Sequence, residues 1–182
     1  MRLQLRRRVL IVDVETTGLD PVRHACIEVG AVLLKEDLTI LEEFSSLVAP
    51  WEGAEVSDDA LGVSKISLQE LGQARDIAEV IREFHECFCS DNSTPLLAGW
   101  NVWFDAAFLR KGYQRAGFVW PFSHRMLDVQ SIVLFFARLH AISQEQVIES
   151  YLGEKQRHRA LNDARHTAQV FRIFAEKYLP AI

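Results

Sequence analysis

Nowhere in its 182 residues does this sequence carry an apolar run long enough to span a membrane, which takes about 20 residues. The basic start, Met1 to Arg8, leads into a short apolar stretch that ends at Asp13. Neither a signal peptide nor a membrane segment is expected. A basic excess is missing as well. Formal net charge is -5, with 20 Lys and Arg against 25 Asp and Glu. Nucleic-acid binders often show the opposite balance, although clustered acids can mask a local basic patch. Cysteine is sparse: Cys26, Cys87 and Cys89 form no CxxC pair and no ligand set with nearby histidines. An odd, sparse count points to reduced thiols in a cytoplasm. Repeats, low-complexity tracts and linkers are absent too. What remains is an ordinary globular balance, 49% hydrophobic and 25% charged, and a length that suits one domain over residues 1–182.

The stretch that organises the chain is Val9 to Gly18, Val-Leu-Ile-Val-Asp-Val-Glu-Thr-Thr-Gly. Its uninterrupted apolar start reads as a central strand covered on both faces. Asp13 and Glu15 then project on one side, since strand residues two apart share a face. Two acids 4 Å apart repel by roughly 4 kcal/mol at an effective dielectric of 20. A divalent cation is the simplest compensation; the alternative is a strand end reaching solvent with two hydrated acids.

Alternation and turn residues place strands over about 7–15, 25–34 and 39–48, the last two antiparallel across Glu36-Asp37. A short helix and turn follow from Ser57 to Gln69. Asp76 caps a helix to about Phe88, with Ile77, Val80, Ile81, Phe84 and Phe88 on its buried face. Asp91 to Pro95 is a turn cluster, Leu96 to Trp100 a short buried strand, and Asn101 a cap for a helix to about Ala116. A fifth strand falls within 125–129, before a helix over 130–140. Ser143-Gln144-Glu145-Gln146 has the capping-box pattern for a helix ending near Gly153. The last helix runs over 160–178, with Leu161, Ala164, Ala168, Phe171 and Tyr178 as its stripe. The expected architecture is α/β, a central mixed five-stranded sheet with helices on both faces.

Two further acids sit where elements begin. Asp105 lies in the first turn of the helix after strand four, where open α/β sheets gather their sites. Asp163 opens the last helix, with His158 in the loop before it. Each is also explained as an acid placed favourably near a helix N-terminus, and His158 as a surface histidine.

Together the three segments resemble the three motifs of the DEDDh group of 3′–5′ exonucleases, the DnaQ-like family with a ribonuclease H-like fold. That family includes the proofreading subunit of bacterial replicative polymerase, ribonuclease T and oligoribonuclease. Asp13, Glu15, Thr16 and Gly18 match its first motif. Asn101, Phe104, Asp105, Phe108 and Leu109 match the second, and His158, Ala160 and Asp163 the third. The resemblance covers about 7–174. Asp128 resembles a further acid often seen before the next helix and is read as structural. Trp100 and Trp103 depart from the family pattern, where those places often hold smaller residues. The chain ends soon after its last helix, so a dedicated polymerase subunit is not expected.

The resemblance implies two divalent cations, Mg²⁺ or Mn²⁺, with Asp13 bridging both, Glu15 and Asp163 completing the first site, and Asp105 holding the second. It implies His158 as general base, a task for which the ordinary imidazole pKa of about 6.5 is suited. Thr16, Thr17 and Leu19 would border the terminal nucleotide, with Asn101 and Phe104 completing the substrate-binding set. Trp103 and Phe104 are either an aromatic surface for a base, worth roughly 1–3 kcal/mol, or, for Phe104, core. Arg110, Lys111 and Arg115, and Arg157, Arg159 and Arg165, are phosphate contacts or solvated faces. His24, His85, His124, His140 and His166 receive no role. The implied activity is metal-dependent 3′–5′ hydrolysis of single-stranded or frayed DNA ends, releasing nucleoside 5′-monophosphates. The alternatives are an exoribonuclease trimming RNA ends or short oligonucleotides, and a silent nucleic-acid-binding module, which the intact acids disfavour. Oligomeric state is left open.

Overall fold

The computed structural model describes residues 4–90, 94–137 and 142–179. Five strands form one sheet in the order β3-β2-β1-β4-β5. They are β1 (Val9–Thr16), β2 (Cys26–Leu34), β3 (Ile40–Leu47), β4 (Leu96–Gly99) and β5 (Leu127–Asp128). The first three pair antiparallel. β4 runs parallel to β1, and β5 parallel to β4, so the sheet is mixed. The helices are α1 (Asp58–Ser64), α2 (Leu68–Leu71), α3 (Ile77–Cys89), α4 (Val102–Arg115), α5 (Val129–Phe136), α6 (Gln144–Leu152) and α7 (Ala160–Tyr178). Among the described residues no helix is long and apolar enough to cross a membrane, and no disulfide joins Cys26, Cys87 and Cys89.

β1 is central because both of its faces are greasy. Leu10, Val12 and Val14 pack with Phe84 and Phe88 of α3 and Leu109 and Tyr113 of α4. Val9 and Ile11 pack on the opposite face with Val133 of α5, Val147 of α6 and Ala164, Phe171 and Phe174 of α7. A third, smaller cluster of Ala25, Ile27, Ile66 and Leu71 lies under α1 and α2.

Most caps match expectation. Asp76 accepts from the Ala78 amide at 2.7 Å, and Ser143 and Gln146 close a capping box. Several boundaries differ. The segment expected as one helix and turn is two helices, because Lys65 takes a left-handed conformation with φ 56° and ends α1. β5 is two residues, because Val129 already begins α5. Asn101 sits at the N-cap of α4 with φ 54° and makes no side-chain cap. In α7, Leu161 is only half-buried and Tyr178 is exposed. The helix instead buries Ala160, Asp163, Ala164, His166, Thr167, Ala168, Val170 and Phe171, more than one stripe. It lies across the sheet with α5 and α6 beside it, so three neighbours cover it. Residues 91–93 of the expected turn at 91–95 and the expected end of α5 at 140 lie outside the described residues.

One contact seats α7. Gly30 of β2 stands directly opposite Asp13 of β1. A Cβ on Gly30 would lie 2.2 Å from the backbone of Ala160 and Leu161. The helix start therefore rests on bare β2 backbone, which brings the first turn of α7 alongside Asp13. Gly30→Ala should cost about 1–3 kcal/mol of stability, the usual range for overpacking. Urea denaturation measures this; a variant as stable as the wild type would mean that α7 does not rest on β2 there.

Candidate active site

Asp13, Glu15 and Asp163 converge. One carboxylate oxygen from each lies within 4.8 Å of the others. β1 supplies the first two by strand alternation, and α7 supplies the third. Asp105 of α4 is outside that triplet but beside it. It is 3% exposed, and its Oδ1 accepts from the Val14 amide at 2.9 Å. That bond ties α4 to β1. The approach depends on Gly99 at the end of β4, where a Cβ would lie 2.8 Å from the Val12 carbonyl oxygen.

Crowded acids in a recess resist ionisation. Burial, then the charges of Asp105, Asp163, Glu15 and Glu28, holds Asp13 well above the usual carboxylate range. Burial, then Asp163 and Glu28, pushes Glu15 up to about 8, with Arg159 opposing. Burial raises Asp105 against the backbone donors it has. Asp163 is raised by burial too, against Gln156, His158 and His166. Asp163 Oδ1 is buried and has no hydrogen-bond partner. Hard oxygen donors clustered this way fit a divalent cation.

His158 stands in the loop before α7, half-buried, with φ 53°. Anchors on both sides hold that uncommon backbone. Two residues before it, Gln156 donates to Asp163 Oδ2 at 2.9 Å. Directly after it, Arg159 grips Glu28, with Nη2 to Oε1 at 2.8 Å and Nε to Oε2 at 3.1 Å. Glu28 Oε2 also accepts from the Ala160 amide at 3.0 Å. Glu28 is 2% exposed and lies directly across from Glu15. Glu28 and Gly30, two apart on β2, thus seat the same helix start by charge and by space.

A cavity of about 410 Å³ opens beside the acids, lined by Glu15, Thr16, Gly18 and Leu19, by α1 and by Phe104. Leu19 is 83% exposed at its edge. Phe104 lines it while packing on Phe108, ring centroids 5.0 Å apart, so it is both wall and core edge. Thr17 turns inward instead. Its hydroxyl donates to the Glu55 carbonyl at 2.6 Å and accepts from the Ala25 amide at 2.9 Å. Asn101 is exposed, and its backbone N–H donates to Asp128 Oδ1 at 2.9 Å; Asp128 is structural there. Trp103 is exposed and off the cavity wall. Three of the basic residues are engaged elsewhere. Arg110 covers Trp120, Arg115 covers Trp51, and Arg165 pairs with Glu43.

Four residues here escaped sequence reasoning. Glu28 left one signal, a lone acid within an otherwise apolar strand. His166 left another, three residues after Asp163 on one helix face. Its Nδ1 is 3.7 Å from Asp163 Oδ1, and its Nε2 is 3.1 Å from Glu154 Oε2. His24 packs where a Cβ on Gly18 would be and accepts from the Asp20 amide at 3.1 Å, holding the turn after β1. Gln156 left no signal, because its contacts exist only in the folded chain.

The raised acids set a pH dependence. Without metal, the folded state holds protons that the unfolded chain releases above about 4.3, and Glu15 keeps its own to about 8. The folded state therefore binds more protons across that window, and stability falls as pH rises through it. Chelated protein should melt higher near pH 5 than near pH 8, and Glu15→Gln should flatten the slope. Thermal unfolding across pH checks this; a rising curve would contradict it.

The sequence model of the exonuclease family RNase_T matches residues 10–171. A DNA polymerase III of PolC type from Thermotoga petrophila is 34% identical over 169 residues, 92% of this chain, but the chain spans only 12% of that protein's length. Among solved structures, the nuclease domain of 3′hExo, a DEDDh family member bound to rAMP, superposes with a TM-score of 0.78 at 20% identity, covering 94% of this chain and 93% of that one. Exonuclease I from Methylocaldum szegediense gives 0.81 at 22% identity, covering 94% of this chain and 41% of that one. With its mixed five-stranded sheet and its crowded acids, the chain belongs to the exonuclease family of the RNase_T model and shares the fold of the DEDDh nuclease domain.

Proposed function

We propose that this chain is a metal-dependent 3′–5′ exonuclease, removing nucleoside 5′-monophosphates from single-stranded or frayed DNA ends. The observation that carries this reading is the convergence of Asp13, Glu15 and Asp163 at the edge of a cavity of about 410 Å³. Similarity to a DNA polymerase III favours DNA. Similarity to a nuclease domain bound to rAMP favours the second reading, an exoribonuclease acting on RNA ends or short oligonucleotides. A cytoplasmic location fits both. Association with a polymerase is a question for the longer protein that such a segment belongs to in the PolC relative.

The family depends on divalent metal. In this reading Asp13, Glu15, Asp105 and Asp163 hold two cations, Mg²⁺ or Mn²⁺. Such cations supply positive charge to both the attacking and the leaving oxygen of an in-line displacement. The remaining steps belong to the protein. Leu19 and Phe104 clasp the terminal nucleoside, and Thr16 lines the sugar end of the cavity, its hydroxyl donating to the Gly18 carbonyl at 2.7 Å. His158 accepts a proton from the attacking water. The water oxygen bonds to phosphorus, the bond from phosphorus to the 3′-oxygen of the penultimate nucleotide breaks, and that oxygen takes a proton from solvent and becomes the new 3′-hydroxyl. Thr17 and Asn101 shape their turns from outside the cavity wall.

Matched single-stranded DNA and RNA labelled at the 5′ end should be shortened from the 3′ end, and a 3′-phosphate should block this. Asp13→Ala should abolish cleavage, and His158→Ala should reduce turnover about 10²–10⁴-fold. Full activity of Asp13→Ala, or digestion from the 5′ end, would sink the reading. Saturating Mn²⁺ should also raise the melting temperature by about 5–10 °C over chelated protein. Asp13→Ala should lose most of that gain.

A further inference from the structure

We propose that Gln156, itself held by Gln144, is a positioning residue for Asp163: it occupies one oxygen of that carboxylate and leaves the other to face a divalent cation. This rests on the reading of the acids as a cation site.

Gln156 lies in the loop between α6 and α7. Its amide nitrogen donates twice, to Asp163 Oδ2 at 2.9 Å and to Gln144 Oε1 at 3.1 Å. A primary amide has two hydrogens, so both are spent. Gln144, the first residue of α6, is itself fixed, its Nε2 donating to Thr167 Oγ1 at 3.2 Å. Thr167 stands one turn beyond Asp163 on α7. The bonds close a ring that runs from α7 to α6, to the loop and back to α7. The ring also sets the orientation of the Gln156 amide. Turned over, its oxygen would face two acceptors, the Asp163 carboxylate and Gln144 Oε1.

The other oxygen of Asp163 is treated differently. Oδ1 is buried without a partner. Its neighbour His166 Nδ1, also without a partner, is 3.7 Å away, beyond hydrogen-bond reach. Buried carboxylate oxygens are rarely left unsatisfied. One oxygen of Asp163 lies within 4.8 Å of carboxylate oxygens of Asp13 and Glu15, and with Oδ2 tied to Gln156 the oxygen left open for a cation in this proposal is Oδ1. A carboxylate with one oxygen tied and one open offers a single ligand in a fixed direction. Partners of this kind commonly affect metal affinity 10–100-fold.

The test is Mn²⁺ binding to substrate-free protein by titration calorimetry. Gln156→Ala should weaken binding about 10–100-fold. Gln156→Met, which keeps the volume without donors, should do the same and guards against a simple packing defect. Gln144→Ala should weaken binding less, and should add nothing in a Gln156→Ala background, because it acts through Gln156. At saturating metal the KM for an oligonucleotide should stay near the wild-type value. Unchanged Mn²⁺ affinity in a folded Gln156→Met, whatever its melting temperature, would reduce Gln156 to a loop staple and overturn the proposal. Wild-type protein that binds no Mn²⁺ would overturn the cation site itself, and this inference with it.

Discussion

Like charges held together in a recess are the constraint around which this molecule is built. Asp13 and Glu15 come from one strand, Asp163 from a helix on one face of the sheet, and Asp105 from a helix on the other. Burial raises the protonation tendency of all four, and the charges of Asp105, Asp163 and Glu15 add to it at Asp13. Coulomb repulsion between such groups amounts to roughly 4 kcal/mol per close pair at an effective dielectric of 20. A fold that assembles them must hold each element by contacts that the acids themselves do not provide.

Those contacts are visible on both faces. On one, the Val14 amide ties down Asp105, and a glycine at the end of β4 permits the approach. On the other, Glu28 and Gly30 receive the start of α7. The buried Glu28 is a fifth acid in the neighbourhood, but it is paired with the Arg159 guanidinium and an amide. Removing one partner of a buried pair leaves an uncompensated charge. The pair thus couples the seat of α7 to the backbone that presents His158, and stability and site geometry share the same few residues.

The cavity beside the acids divides its labour by solvent access. Leu19 and the α1 wall are exposed, whereas Phe104 is anchored in the core that runs along α4. Both arginines of α4 lie over aromatic rings, Arg110 over Trp120 and Arg115 over Trp51.

Periodicity was enough for much of the fold. The apolar run into Asp13, the alternation through 25–34 and 39–48, the caps at Asp76 and Ser143 and the order of the three acidic motifs are local properties. They place five strands, the main helices and the acids at element ends, because side-chain direction follows from backbone repeat alone. What the sequence could not show is contact between segments far apart in the chain. The break between α1 and α2 rests on one left-handed lysine, and the broad burial of α7 on three neighbours covering it. The inward turn of Thr17 rests on the Glu55 carbonyl. Glu28 reaches a residue 131 positions away, and Gln156 finds its partners on two helices at once. The acids were therefore legible as motifs. The residues that hold them in place exist as such only in the folded chain, because their roles are set by distances that no sequence spacing encodes.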